Sequence, residues 1–293
     1  MLYICATPIG NLGDVSARLL EVLRSVTLIA AEDTRRTRAL LTHFDVHTPL
    51  TSLFRHNEAR KTEEVMRLLR ADIDVALVSD AGMPGVSDPG MRLVAAALEE
   101  HVACTVVPGP SAVLSALVLA GFEGDGFRFV GYLPRREKEL REALRGWRRC
   151  GGLVVAFDTA PRLPASLASL AVALPQARAA VCRELTKLHE EIVRGDLRSL
   201  SQRYAVDGEQ SCQTPLRGEI TLVLDLGDPE GADVSSCAPD VAARELLGRG
   251  LSRRDTAMAL HVCLGLPRRE ADVLARTLAA SVARSDSRGR LVD

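Results

Sequence analysis

The chain has 293 residues, of which 47% are hydrophobic and 26% charged, with a formal net charge of −1 at neutral pH. This balance excludes a disordered chain, a collagen-like repeat and a disulfide scaffold, and it provides no global field that would draw the protein to nucleic acid. The length exceeds one ordinary domain, so two compact domains and a small appendage are expected.

The chain opens on a strand-like run at 2–7, with no charged leader, apolar stretch or cleavage site ahead of it. No window approaches the roughly 18 apolar residues of a membrane span, and a cytoplasmic protein is expected. Further strand-like runs at 27–31, 74–79 and 103–107 alternate with helical periodicity over 16–25, 33–43, 58–70, 88–100 and 111–120. Leu19, Leu20, Leu23 and Val26 form one apolar stripe, and Val65, Leu68 and Leu69 another. Strands spaced by helices of this length predict an α/β fold with a mainly parallel sheet covered on both faces. The glycine cluster at 121–126 reads as a turn and separates an N-terminal α/β domain, 1–120, from a second, 121–230. The second series has strands near 127–131, 152–157, 177–182 and 218–225, with helices at 137–149 and 161–173. Beyond Gly231 the β pattern ends, and 231–293 reads as three short helices near 240–248, 252–262 and 268–284. Ser252 and Asp255 form a capping box and Pro267 suits a first helical turn. This tail, with ten basic and eight acidic residues, admits a helix-turn-helix-like unit or three helices packing on a neighbour.

Ligands of open α/β sheets bind beyond the carboxyl ends of the strands. Four segments rich in Gly, Pro and small polar residues fall there: 7–14, 32–36, 79–90 and 108–112. Any strand-to-helix turn uses such residues, and Ser111 reads equally as an N-cap. The 79–90 loop is longer than the 2–6 residues a βα turn needs, which points to a ligand approached closely by backbone. Neither a P-loop nor a dinucleotide fingerprint occurs. The seven cysteines include no Cys-x-x-Cys pair, so most are expected to be buried thiols in a reducing compartment, and no metal site is expected. His43 and His47 read as surface residues.

Six segments, taken in order, resemble the signatures of one family. They are Thr-Pro-Ile-Gly-Asn-Leu at 7–12, Glu-Asp-Thr-Arg at 32–35, His-Asn-Glu at 56–58, Ser-Asp-Ala-Gly-x-Pro-Gly-x-Ser-Asp-Pro-Gly at 79–90, Pro-Gly-Pro-Ser-Ala at 108–112 and Arg-Glu-Leu-Thr-Lys at 183–187. The sequence is similar to the ribosomal RNA small-subunit methyltransferase I group of the tetrapyrrole methylase superfamily over 1–226, and its tail resembles that group's C-terminal helix-turn-helix module. The resemblance implies two tandem α/β domains of the tetrapyrrole methylase type with S-adenosylmethionine in the cleft between them. It also implies a homodimer, and 2′-O-methylation of a cytidine in the decoding region of small-subunit ribosomal RNA, free or in the assembled 30S particle. The cofactor residues it implies are Pro8, Asp80, Ala81, Gly82, Val86, Ser87, Ser111, Ala112, Phe157 and Ile220. Two positions depart from the pattern: Met83 stands where the family usually has Thr, and Phe157-Asp158 where it has an aromatic-Glu pair. A tetrapyrrole-type small-molecule methylase and a non-catalytic RNA-binding assembly factor are the competing readings.

Methyl transfer to a ribose hydroxyl needs nucleophile, methyl and sulfur close to a line, plus help for the developing alkoxide. Lys187, one of only three lysines, is a candidate for that help, with Glu184 or Glu190 as its alternative ion-pair partners; Glu32 and Asp33 are the acidic candidates. His56, Glu58 and Glu184 complete the set of groups considered. The segment 135–149 carries seven basic and three acidic residues around Trp147. Arg141, Arg145 and Arg148 are therefore expected to contact RNA, although Leu140, Leu144 and Trp147 have the spacing of an ordinary core face. Arg35, Arg36, Arg38, Arg55, Arg60 and Lys61 form a second candidate surface for RNA, and His56 and Asn57 are further expected RNA contacts.

Overall fold

The computed structural model describes residues 1–205, 216–229 and 239–288; Cys212 and Cys237 lie outside them. The chain divides into two units, Met1–Gly227 and Asp228–Asp293.

The first unit holds two five-stranded sheets. In the first sheet β1 (Leu2–Cys5), β2 (Leu28–Ala31), β3 (Leu50–Ser52), β4 (Val75–Val78) and β5 (Cys104–Val107) run parallel in the order β3-β2-β4-β1-β5. All four residues of β4, Val-Ala-Leu-Val, are buried, as expected of a central parallel strand covered on both faces. Alternate side chains divide the core. Cys5, Ile29, Ala31, Ala76 and Val78 pack under α1 (Ala17–Ser25) and α2 (Thr34–His43). Leu2, Ile4, Ala30, Val75 and Leu77 pack under α3 (Glu58–Arg70) and α4 (Met91–Glu99). The Ser16 hydroxyl accepts the Leu19 N–H and the Asp33 carboxylate accepts the Arg35 N–H, capping α1 and α2.

The second sheet is mixed. It contains β6 (Phe127–Tyr132), β7 (Leu153–Thr159), β8 (Arg178–Arg183), β9 (Glu191–Asp196) and β10 (Glu219–Asp225) in the order β6-β7-β10-β8-β9. Only β6 and β7 pair parallel; β10 enters antiparallel between β7 and β8, and β9 returns antiparallel on β8. Helices α6 (Glu137–Cys150), α7 (Leu163–Ala173) and α8 (Leu197–Arg203) cover one face. The other face is covered by α5 (Ala112–Ala120), through Val113, Ala116 and Ala120 against Val155, Ala180, Cys182 and Val223. Although α5 precedes the 121–126 turn, it belongs by packing to the second sheet. The strands β3 and β9 and the helix α8 have no counterpart among the sequence-based expectations.

In the second unit α9 (Pro239–Gly248), α10 (Arg253–Leu264) and α11 (Arg268–Arg288) share a small core of Ala243, Leu260, Ala271 and Leu278. The expected capping box is present: Ser252 Oγ accepts the Asp255 N–H and donates to its carboxylate. Gly265 ends α10 in the left-handed conformation, and His261 Nδ1 lies 2.7 Å from the Leu266 carbonyl oxygen, closing the turn into α11. Of the described cysteines Cys5 and Cys182 are buried, but Cys150 and Cys263 are exposed, contrary to the expectation that most lie inside. Among the described residues no helix is long and apolar enough to cross a membrane.

Candidate functional site

The four loops after β1, β2, β4 and β5 converge where the first sheet meets the second. Thr7 and Gly82 form an antiparallel bridge, with N–H to carbonyl distances of 2.9 and 3.1 Å. Gly82 has φ of +77°, a conformation glycine adopts without strain, so both its polar backbone groups can face Thr7. The Thr7 hydroxyl donates to the Ser79 carbonyl at 3.2 Å, and Ser79 Oγ bonds back to the Ala81 and Gly82 carbonyls. Glu58, from α3, accepts the N–H groups of Gly90 and Arg92, closing the loop onto the start of α4.

Two cavities flank these loops. The larger, about 480 Å³, lies between them and the second sheet. Phe129, Phe157 and Tyr132 form an edge-to-face cluster there, with centroids 4.9 and 5.6 Å apart. Glu32, Asp80 and Asp88 also line the cavity, with Val86, Ser111, Ala112 and the β7 residue Asp158. Burial, reinforced by Glu32, pushes the Asp88 carboxyl up to about 7, and burial beside Asp80 raises Glu32. The Asp158 side chain is wholly buried, and neither of its oxygens has a hydrogen-bond partner. Its nearest cation, Arg162 Nε at 3.4 Å, also holds the carbonyls of Leu133 and Pro134 through Nη2. A cavity with aromatic walls and several carboxylates suits a ligand that is flat at one end and cationic at the other.

The smaller cavity, about 320 Å³, lies between the 7–14 loop and α2. It shares Ile9, Arg36, Asp80, Ala81 and Glu219 with the larger one. Lys187 lines it, and Lys187 Nζ donates to Glu184 Oε1 at 2.8 Å and Glu219 Oε2 at 2.9 Å. Burial works against the ammonium, but these two bonds outweigh it and the Lys187 pKa is raised. Glu184 and Thr186 both adopt positive φ, +50° and +67°, a conformation non-glycine residues hold only where surroundings impose it. Gly10 leaves room for the lysine: a Cβ there would collide with Lys187 Cγ and Cε.

Of the expected cofactor residues, Asp80, Ala81, Gly82, Val86, Ser111, Ala112, Phe157 and Ile220 line the larger cavity and Pro8 the smaller. Ser87 lines neither and is exposed. Ser111 is also the N-cap of α5, accepting the Leu114 N–H at 3.3 Å. Glu32 faces the larger cavity and Lys187 the smaller, with Glu184 and Glu219 as partners; Glu190 instead accepts the Thr186 N–H. Asp33 lies outside both: it caps α2, and Arg35 Nε and Nη2 fork its carboxylate at 3.1 and 2.7 Å, holding its pKa down at about 2. The Asn57 side chain closes its own loop, accepting the Phe54 N–H and donating to Ser52, while His56 is exposed beside it. Arg141 pairs with Glu137 on α6, whose Leu140 and Leu144 are buried and whose Trp147 packs on the core. Arg36 and Asp88 come from the 32–36 and 79–90 loops, as expected, whereas Tyr132 and Glu219 were not anticipated, and Glu219 reaches the site only through the antiparallel entry of β10.

A parallel and a mixed sheet meeting at such a cavity define a methylase of the tetrapyrrole type, and residues 1–201 match the model of the Tetrapyrrole (Corrin/Porphyrin) Methylases. The fold is that of uroporphyrin-III C-methyl transferase from Thermus thermophilus, solved complexed with S-adenyl homocysteine (TM-score 0.53, 16% identity, 76% of this chain and 96% of that one). It is equally that of diphthine synthase (TM-score 0.53, 16% identity, 76% and 89%). Closer in sequence are proteins named ribosomal RNA small subunit methyltransferase I. That of Micromonospora olivasterospora is 40% identical over 91% of this chain and 83% of its own length. That of Synechocystis sp. is 39% identical over 92% and 95%, and that of Thermotoga maritima 40% over 76% and 97%. The chain belongs to the ribosomal RNA small subunit methyltransferase I family.

Proposed function

We propose that this protein transfers a methyl group from S-adenosylmethionine to the 2′-hydroxyl of a cytidine in the decoding region of small-subunit ribosomal RNA. The observation that carries this reading is the larger cavity. An adenine suits the Phe129–Phe157–Tyr132 walls, and a sulfonium and an ammonium suit Glu32, Asp80 and Asp88. The cofactor supplies an already activated methyl group, so the protein's task is to orient the acceptor and manage its proton. Lys187, kept protonated by Glu184 and Glu219, stabilises negative charge developing on the ribose oxygen. Glu32, carrying a raised pKa, stands as an acidic candidate, and Asp33 acts by orienting α2.

Arginines on α2 and α6 supply phosphate contacts. The protein works in the cytoplasm as a homodimer. On α5 Leu114 and Val118 are exposed at 53% and 78%, an apolar face suited to a second copy. The deciding experiment is transfer of labelled methyl to purified small subunits that lack the modification, followed by nucleoside analysis. Label in 2′-O-methylcytidine is the expected result. Label only in a tetrapyrrole acceptor, or in none, overturns the reading.

A further inference from the structure

We propose that the smaller cavity is the acceptor subsite. One ribonucleoside, lifted out of its strand, enters between the 7–14 loop and α2 and presents its 2′-hydroxyl beside Asp80. This rests on the methyl-transfer reading above and adds where the acceptor sits and what receives its proton. In-line transfer requires the acceptor to approach from a space that opens onto the donor. The smaller cavity adjoins that of the donor, with Arg36, Asp80 and Glu219 lining both. Its volume of about 320 Å³ falls in the range of small-molecule sites.

Its walls divide by chemistry. Ile9, Leu12 and Leu40 form an apolar side, and Leu12 is 41% exposed, a surface against which an unstacked base can lie. Asp80, Lys187, Arg36 and Glu219 form the polar end, where a ribose belongs. Asp80 Oδ1 accepts the Asp33 N–H at 2.9 Å, which fixes the carboxylate. Its Oδ2 forms an ion pair with Arg36 at 3.6 Å, beyond hydrogen-bond length, which leaves a lone pair open to a hydroxyl donor. Arg35 and Arg38, exposed on the same helix, stand where the flanking phosphates of an inserted nucleotide would run. The ribose O2′ proton passes to Asp80 Oδ2 as the bond from O2′ to the methyl carbon forms. The methyl–sulfur bond breaks, and the donor leaves as a neutral thioether.

Ala39 lines the smaller cavity but not the larger, and it is exposed on α2, so Ala39→Phe fills the proposed subsite without disturbing the core. Calorimetry with S-adenosylhomocysteine should give this variant an affinity within about threefold of the parent. Its single-turnover transfer to saturating, unmodified small subunits should fall by about a hundredfold or more. Asp80→Asn keeps the bond from the Asp33 N–H. Asp80 also walls the donor cavity, so this variant is assayed with S-adenosylmethionine saturating; it should bind subunits as the parent does, while its single-turnover rate falls on the order of 10²–10⁴-fold. Weakened S-adenosylhomocysteine binding by Ala39→Phe assigns that position to the donor and overturns the proposal. Transfer by either variant at a rate close to the parent's overturns it as well. A parent that binds S-adenosylhomocysteine but methylates no RNA refutes the functional reading itself, a result distinct from an active parent whose variants stay active.

Discussion

Lys187 shows how a side chain acquires chemistry from its surroundings. Two carboxylates hold its ammonium, the stem crosses Gly10, and the backbone before it is strained. If it stabilises a developing alkoxide, Lys187→Met should lower single-turnover transfer on the order of 10²–10³-fold with little change in subunit affinity, since the interaction strengthens only as charge develops. A rate within a few-fold of the parent would leave the lysine a structural role. Asp88 makes a different test. Its carboxyl is pushed up to about 7, chiefly by burial, so the folded protein retains a proton that the unfolded chain releases from about pH 4 upward. Asp88 therefore costs stability progressively as pH rises from that range to about 7, and costs nothing below it. Thermal denaturation should show Asp88→Asn raising Tm more at pH 8 than at pH 4; equal shifts would remove the burial argument. Several residues of the site were legible in their loops, because the 79–90 loop is longer than a strand-to-helix turn requires. Asn57 and Glu58 belong to one of the recognised segments too, yet their side chains hold backbone N–H groups. Residue type alone does not separate a ligand contact from a loop closure.

At the scale of the element, α6 combines two kinds of surface. Leu140 and Leu144 are buried, and Arg141, Arg145 and Arg148 flank that stripe, one residue on from Leu140, Leu144 and Trp147. Changing Arg141, Arg145 and Arg148 together to Gln should leave S-adenosylhomocysteine affinity intact while weakening RNA binding. The slope of log affinity against log salt should become shallower by about 2, for three phosphate contacts to a single strand. An unchanged slope would make α6 a solvated helix alone. The periodicities of α1, α3 and α6 were readable because each has one apolar stripe facing a sheet. Strand β3, three residues long, and β9, with Glu, Arg and Asp among its six, were not. Edge strands take their pairing from a neighbour and need no distinctive pattern. The orientation of β10 was equally hidden, since its buried run Ile-Thr-Leu-Val-Leu suits a parallel or an antiparallel neighbour alike.

At the scale of the whole molecule, residues 1–227 form a contact unit with both sheets and both cavities, and the helical unit has its own core. The Thermotoga maritima relative, matched over 97% of its length by 76% of this chain, is nearly the size of the first unit. A chain ended after Gly227 should therefore fold cooperatively and bind S-adenosylhomocysteine within about threefold of the full protein; calorimetry and a melting curve check both. Val118→Arg, on the exposed face of α5, should convert the proposed dimer to a monomer in light scattering, and an unchanged mass would exclude that face. The sequence by itself determined the α/β class, the glycine-rich loops at the strand ends, the helical tail and the family. Each is written locally, in periodicity, turn residues or contiguous motifs. Only the tertiary structure decided that α5 covers the second sheet, that β10 brings Glu219 to Lys187, and that Asp80 stands between two cavities. Those juxtapositions join residues 30 to 200 positions apart, and long-range packing, which leaves no mark on any one segment, brings them together.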